Sequence, residues 1–185
     1  MNPNTDECQV VISESQLRQR IATLGAQISR DYQGRAVHLV GVLENGFLFA
    51  ADLVRAITCE VHCEFVKPYT HVFRDRNTET TQIFYAPEID VAGKHILLCE
   101  GILSTGLTTE FLIHNFQARG AASIAVCSLL DRLSDRRVNL DVAYYGFQVG
   151  PQWLAGFGLG PGPHTLQSNL PFIFAAPAAA ASLKA

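Results

Sequence analysis

The run Val37 to Leu43 limits the fold more than any other feature: it is apolar without alternation and too short to be a helix of its own. Such a run reads as a strand buried on both faces, and strands of that kind belong to parallel sheets covered by helices on either side. Glu44-Asn45-Gly46 then supplies a turn, Phe47, Ala50, Ala51 and Val54 mark one helical face, and Glu60 to Val66 reads as the next strand. These segments make a βαβ unit. A strand over His95 to Cys99, a turn over Glu100 to Gly106, a helix from Thr108 to Arg119 stopped by Gly120, and a strand from Ser123 to Leu130 make a second. Val142 to Phe147 adds one more strand. Upstream, the capping pattern Ser13-x-x-Gln16 followed by Leu17, Ile21, Leu24 and Ile28 predicts an amphipathic helix ending near Tyr32. The expectation is one α/β domain built on a parallel sheet, whose ligands sit beyond the carboxyl ends of the strands.

A length of 185 residues suits a single domain, with a core over about 10–174 and an alanine-rich, low-complexity tail over 175–185. The net charge of -3, without a run of Lys or Arg, leaves no footprint for nucleic acid. The start Met1 to Glu7 is acidic and lacks an apolar block, and the most apolar tail segment, Pro171 to Leu183, is broken by Pro177 and shorter than the ~20 residues of a membrane span. A cytoplasmic place with no membrane partner follows. The five cysteines are an odd number without C-x-x-C spacing, which suits reduced thiols rather than a disulfide framework or a zinc site. Tyr69 to Pro87 is polar and long enough to be a functional loop that closes over a site.

The segment Ile96 to Thr109 carries the chemistry: an apolar strand breaks into small residues and then enters a helix. Backbone N–H groups at that helix start, with the hydroxyls of Ser104, Thr105, Thr108 and Thr109, can cradle a phosphate, and Gly106 allows close backbone approach. An ordinary strand-to-helix turn would carry the same pattern.

Four segments in order add a likeness. Val40-Gly41-Val42-Leu43-Glu44-Asn45-Gly46 continuing to Leu53, Glu100 to Thr108, Cys127-Ser128-Leu129-Leu130-Asp131-Arg132 followed by Arg136 and Arg137, and Tyr145-Gly146-Phe147 with Trp153 to Leu159 together resemble the hypoxanthine-guanine phosphoribosyltransferases. The resemblance implies a type I phosphoribosyltransferase fold, a twisted, mainly parallel sheet flanked by helices with a small hood from the terminal segments. It also implies a purine salvage reaction in which phosphoribosyl pyrophosphate and a purine base give a nucleotide and pyrophosphate, with Mg2+ and a homodimeric or homotetrameric assembly. Residue by residue, it puts Ser104, Thr105, Gly106, Leu107 and Thr108 around the 5'-phosphate, and Glu100 at the ribose hydroxyls and, indirectly, the metal. It puts Arg132, Trp153 and Leu154 at the base, Leu43, Glu44, Asn45 and Arg136 at the pyrophosphate, and Tyr69 in the flexible loop.

The departures from the pattern lie on one side. Gly101 stands in place of the family's second acid, Ser104 in place of the aspartate credited with the base N7 proton, Glu44 in place of the pyrophosphate-loop lysine, and Gly160 in place of a metal-binding aspartate. A serine cannot replace a carboxylate as general base, and Glu44 reverses the charge met by a polyanion. The six histidines match no catalytic position. Three readings stay open: a purine phosphoribosyltransferase of weak or altered activity with an impaired Mg2+ site, a degraded homologue that binds a purine nucleotide or another phosphorylated ligand as sensor or partner subunit, and an assembly surface.

Overall fold

The computed structural model describes residues 9–75, 78–84, 89–160 and 167–175. Helix α1 (Glu14–Asp31) starts at Ser13, whose side chain accepts from the Gln16 N–H while the Gln16 side chain accepts from the Ser13 N–H, so both halves of the capping box form. Strand β1 (Gln9–Ile12) precedes it, and β2 (Val37–Val42), α2 (Phe47–Ala56) and β3 (Val61–Val66) follow. Beyond a ribbon of β4 (Tyr69–Asp75) and β5 (Thr78–Phe84) come β6 (His95–Leu103), α3 (Leu107–Ala118), β7 (Ser123–Asp131) and β8 (Tyr144–Gln148). Two short strands, β9 (Leu154–Ala155) and β10 (Ile173–Ala175), complete the order.

The main sheet runs β3-β2-β6-β7-β8, and every pairing in it is parallel. Alternation along the strands explains why their sequences are apolar throughout. Leu39, Leu97 and Leu129 face one layer, packed with Leu17, Ile21 and Leu24 of α1 and Phe49 and Leu53 of α2. Val40, Ile96 and Leu98 face the other, packed with Leu112 and Phe116 of α3. Each fully buried aliphatic side chain contributes ~1.5–3 kcal/mol, so both faces are strongly held. The hood is a small antiparallel sheet in the order β1-β10-β9, which joins the two ends of the described chain. Cys99 and Cys127 are buried, Cys59 and Cys63 half-buried, and all four are free thiols.

Two expectations need correction. The turn expected over Glu100 to Gly106 is mostly strand: β6 continues through Glu100, Gly101 and Ile102 to Leu103, and Leu103 still pairs with Asp131. Gly101 suggested a turn, yet a glycine inside a strand also marks a place where another backbone comes close. The stretch from Tyr69 to Pro87 is not a structureless loop where it is described. Tyr69 pairs with Phe84 and Asp75 with Thr78 in an antiparallel ribbon, in keeping with its many threonine and aromatic residues, which favour strands despite their polarity. Residues 76–77 and 85–87 of that stretch, Cys8, His164 and the alanine-rich 176–185 lie outside the described residues.

Helices α1 and α2 touch at Gly25, where an added Cβ would sit 2.5 Å from the Ala56 carbonyl oxygen and 2.6 Å from its Cβ. Gly25→Ala would gain about 1 kcal/mol of helix propensity but suffer ~1–3 kcal/mol or more of overpacking against backbone. The net expectation is a destabilised fold, read as a lower urea midpoint with an unchanged slope; a higher midpoint would place the helices further apart than described.

Candidate active site

The carboxyl ends of β2, β3 and β6 open on a cavity of about 250 Å³ whose walls include Leu43, Pro68, Glu100, Ser104, Thr105, Gly106, Thr108 and Thr109. Gly106 caps α3 at φ +79°, a left-handed conformation that favours glycine, and the cap makes no side-chain hydrogen bond. The first N–H groups of a helix have no partner within it, and here the Leu107 N–H reaches the Thr105 hydroxyl at a long 3.5 Å, with the positive end of the helix dipole behind these groups. A Cβ on Gly106 would also come within 2.7 Å of Leu140 and 2.8 Å of Val138. The loop is braced from behind by Arg136, whose Nε donates to the Ser104 carbonyl at 3.0 Å and whose Nη2 pairs with Asp131 at 2.5 Å, while the Arg137 N–H donates to the Thr105 carbonyl at 3.0 Å.

Glu100 is buried on the cavity wall and accepts one hydrogen bond, from the Thr109 hydroxyl at 2.7 Å. Burial pushes its carboxyl up to about 7, with the Thr109 bond acting in the opposite sense. One residue on, the turn between β2 and α2 lies directly on the strand: a Cβ at Gly101 would be 2.0 Å from the Asn45 carbonyl oxygen, and one at Gly46 would be 3.1 Å from the Cys99 carbonyl. Leu43 donates its N–H to Val66 at 2.9 Å, and the Leu43–Glu44 peptide bond is cis. Glu44 itself is exposed and pairs with Lys67 Nζ at 2.7 Å, across from the turn to the end of β3.

The profile of the phosphoribosyl transferase domain matches residues 13–160, most of the chain. The chain belongs to the phosphoribosyltransferase family. Its relatives place it near the purine enzymes: it is 35% identical over 153 residues to a hypoxanthine phosphoribosyltransferase of Haemophilus influenzae, covering 81% of this chain and 86% of that one. A hypoxanthine-guanine phosphoribosyltransferase of Bacillus subtilis is 30% identical over 164 residues, with 89% and 90% covered. The crystal structure of a hypoxanthine-guanine phosphoribosyltransferase from Bacillus anthracis superposes with a TM-score of 0.78 at 31% identity, covering 90% of this chain and 95% of that one.

Against this phosphoribosyltransferase frame the expected site residues fall into two groups. Leu43, Glu100, Ser104, Thr105, Gly106 and Thr108 share the cavity, and Leu107 opens the helix behind it. Arg132, Trp153 and Leu154 form a neighbouring group: the Arg132 N–H donates to the Leu103 carbonyl at 3.0 Å, and its Nη2 to the Gln152 carbonyl at 2.7 Å, next to half-buried Trp153 and buried Leu154. Arg132 Nη1 lies 3.5 Å from Asp135, and its Nε is buried without a hydrogen-bond partner among the described residues. Arg136 braces the loop before α3 through the Ser104 carbonyl and Asp131, and neither bond reaches the Leu43–Asn45 turn. The Thr109 hydroxyl is taken by Glu100 rather than offered to a phosphate. Tyr69 is exposed at the start of β4, with Lys67 Nζ 5.7 Å from its ring centroid. Lys67 escaped the sequence reading; its only signal was a cation directly after the β3 strand.

Two outcomes follow. A glutamate normally titrates near 4.5, so between that value and about 7 the folded chain holds the Glu100 proton while the unfolded chain has lost it. Stability should therefore fall by ~2–4 kcal/mol as pH rises from about 5 to about 7 and then level, and Glu100→Gln should remove that part of the slope. Urea unfolding at a series of pH values measures it; parallel curves for the two proteins would show that Glu100 is ionised in the fold. Gly101→Ala should lower the thermal midpoint through the clash with Asn45, and Gly101→Asp should do so at least as strongly instead of restoring an acid to the cavity.

Proposed function

We propose that the protein transfers a phosphoribosyl group from phosphoribosyl pyrophosphate to a 6-oxopurine such as hypoxanthine or guanine, in purine salvage. The reading is carried by one observation: the uncapped start of α3, with the Ser104 to Thr108 loop, opens on the same cavity as the buried carboxyl of Glu100. In the reaction the base nitrogen bonds to C1' of the ribose as the bond from C1' to the diphosphate oxygen breaks. Pyrophosphate leaves with that electron pair, and the base gives up one proton.

The N–H groups of the α3 start and the hydroxyls of Ser104, Thr105 and Thr108 hold the 5'-phosphate, an arrangement that depends on backbone donors more than on side chains. Glu100 accepts from the ribose hydroxyls. Arg132 offers the charge of its guanidinium to the base oxygen, Trp153 stacks on the ring, and the Leu154 backbone meets the base edge. When bound, Mg2+ neutralises the diphosphate. Among the described residues no cluster of three or more His, Cys, Asp or Glu groups could hold a metal ion. The single carboxylate of Glu100 fits an ion carried in on substrate oxygens, which is how Mg2+ usually meets proteins. Exposed Phe47, Phe65 and Tyr145 and the family membership support a homodimer or homotetramer. Free thiols suit a cytoplasmic place, and no described helix is long and apolar enough to cross a membrane.

Ser104 leaves the base proton without a carboxylate acceptor, so the proton passes to water. General-base assistance typically contributes ~10²–10⁴ in rate, and its loss sets turnover below the ordinary ~1–10³ per second. Steady-state assays with hypoxanthine and guanine should show slow transfer, and Ser104→Asp should raise kcat at least tenfold. Binding of a purine mononucleotide with no transfer by either protein would favour the nucleotide-binding homologue, and wild-type turnover at ordinary rates would show that Ser104 is no handicap.

A further inference from the structure

Resting on the phosphoribosyltransferase reading, we infer that Lys67 receives the diphosphate of the donor, and that Glu44 is a built-in anion holding its ammonium at the cavity rim until the diphosphate displaces it. The two residues sit on different segments, each next in the chain to a residue of the cavity wall: Glu44 follows Leu43 and Lys67 precedes Pro68, and both Leu43 and Pro68 line the cavity. Their 2.7 Å pair therefore bridges the β2–α2 turn and the link from β3 to β4 across the mouth of the site. The turn is fixed where it meets the pair, by the Leu43 N–H on the Val66 carbonyl and by the Asn45 carbonyl packed on Gly101.

The nearby arginines are committed elsewhere. Arg136 is tied to Asp131 and to the Ser104 carbonyl, and Arg132 is held by the Gln152 carbonyl beside Asp135. Among the described residues Lys67 Nζ is hydrogen-bonded to Glu44 and lies 5.7 Å from the Tyr69 ring centroid, and the Glu44 side chain is 73% exposed. An exposed pair of this kind contributes little to stability, so a polyanion that brings several charges to the same ammonium displaces the carboxylate easily and lets it swing into water. The hydrogen bond to Glu44 also raises the pKa of an ammonium that is charged at neutral pH in any case. Charge reversal at position 44 thus leaves a cation at the rim, contributed by a different strand end.

Calorimetric titration with inorganic pyrophosphate plus Mg2+, and separately with guanosine monophosphate, tests this. Lys67→Met should weaken pyrophosphate binding about tenfold to a hundredfold, the range expected when one charged hydrogen-bond partner is lost, and leave the mononucleotide within about twofold. Glu44→Gln should tighten pyrophosphate severalfold by removing the internal competitor, an effect opposite in sign to the loss of a structural salt bridge. The exchanged pair, Glu44→Lys with Lys67→Glu, should bind pyrophosphate within a few-fold of the parent. Unchanged pyrophosphate affinity in Lys67→Met, or weakened affinity in Glu44→Gln, overturns the inference while the phosphoribosyltransferase reading stands. A parent protein that binds neither ligand overturns that reading and this inference with it.

Discussion

Parallel pairing of β6 between β2 and β7 is the constraint on which the rest of the molecule depends. Its first half, Ile96 to Cys99, is fully buried and sends alternate side chains into the two layers of the core. Its second half carries Glu100 and Gly101, still in register with β7 as far as Asp131. A strand whose first half is fully buried thus runs on, without a joint, into the wall of the cavity. Position of the phosphate loop is set by the core behind it, and the arginine brace from Arg136 to Ser104 and Asp131 fixes the remaining freedom of the turn.

The chemistry of the site follows from what backbone can do by itself. A phosphate cradle made of N–H groups at the start of α3 tolerates change in side chains, because the donors come with the fold. A carboxylate that must accept a proton, or a lysine that must meet a diphosphate, has no such protection. In this chain the substitutions fall on groups of the second kind. The close contact between Asn45 and Gly101 shows that one of them is built in: the turn occupies the space a side chain at position 101 would need, so the missing acid and the position of the turn are a single feature. Glu44 and Lys67 show the converse, a reversed charge met by a neighbouring cation.

Much of this was legible in the chain itself. The capping box at Ser13, the apolar runs of β2 and β7 and the starts of β6 and α3 are local signals, and each formed within one or two residues of its expected place. The extension of β6 through Glu100 to Leu103 was hidden because a glycine reads as punctuation unless the backbone that approaches it is known. The ribbon of β4 and β5 was hidden because its polar threonines hide a β preference that shows once the two strands pair. Strands β1, β9 and β10 have two to four residues each, too few for any period to appear, and exist only because the chain ends meet.

By itself the sequence determined the α/β class and a small-residue strand-to-helix loop with its hydroxyl-bearing neighbours, since hydrophobic period and helix-start chemistry act over a few neighbouring residues. Only the tertiary structure decided which groups are free to act. It gave Thr109 to Glu100, Arg136 to Ser104 and Asp131, and Lys67 to Glu44, and it set Asn45 against Gly101. Those pairings join residues 5 to 56 positions apart in the chain, and a hydrogen bond or an excluded volume depends on distances in space that sequence pattern alone does not encode.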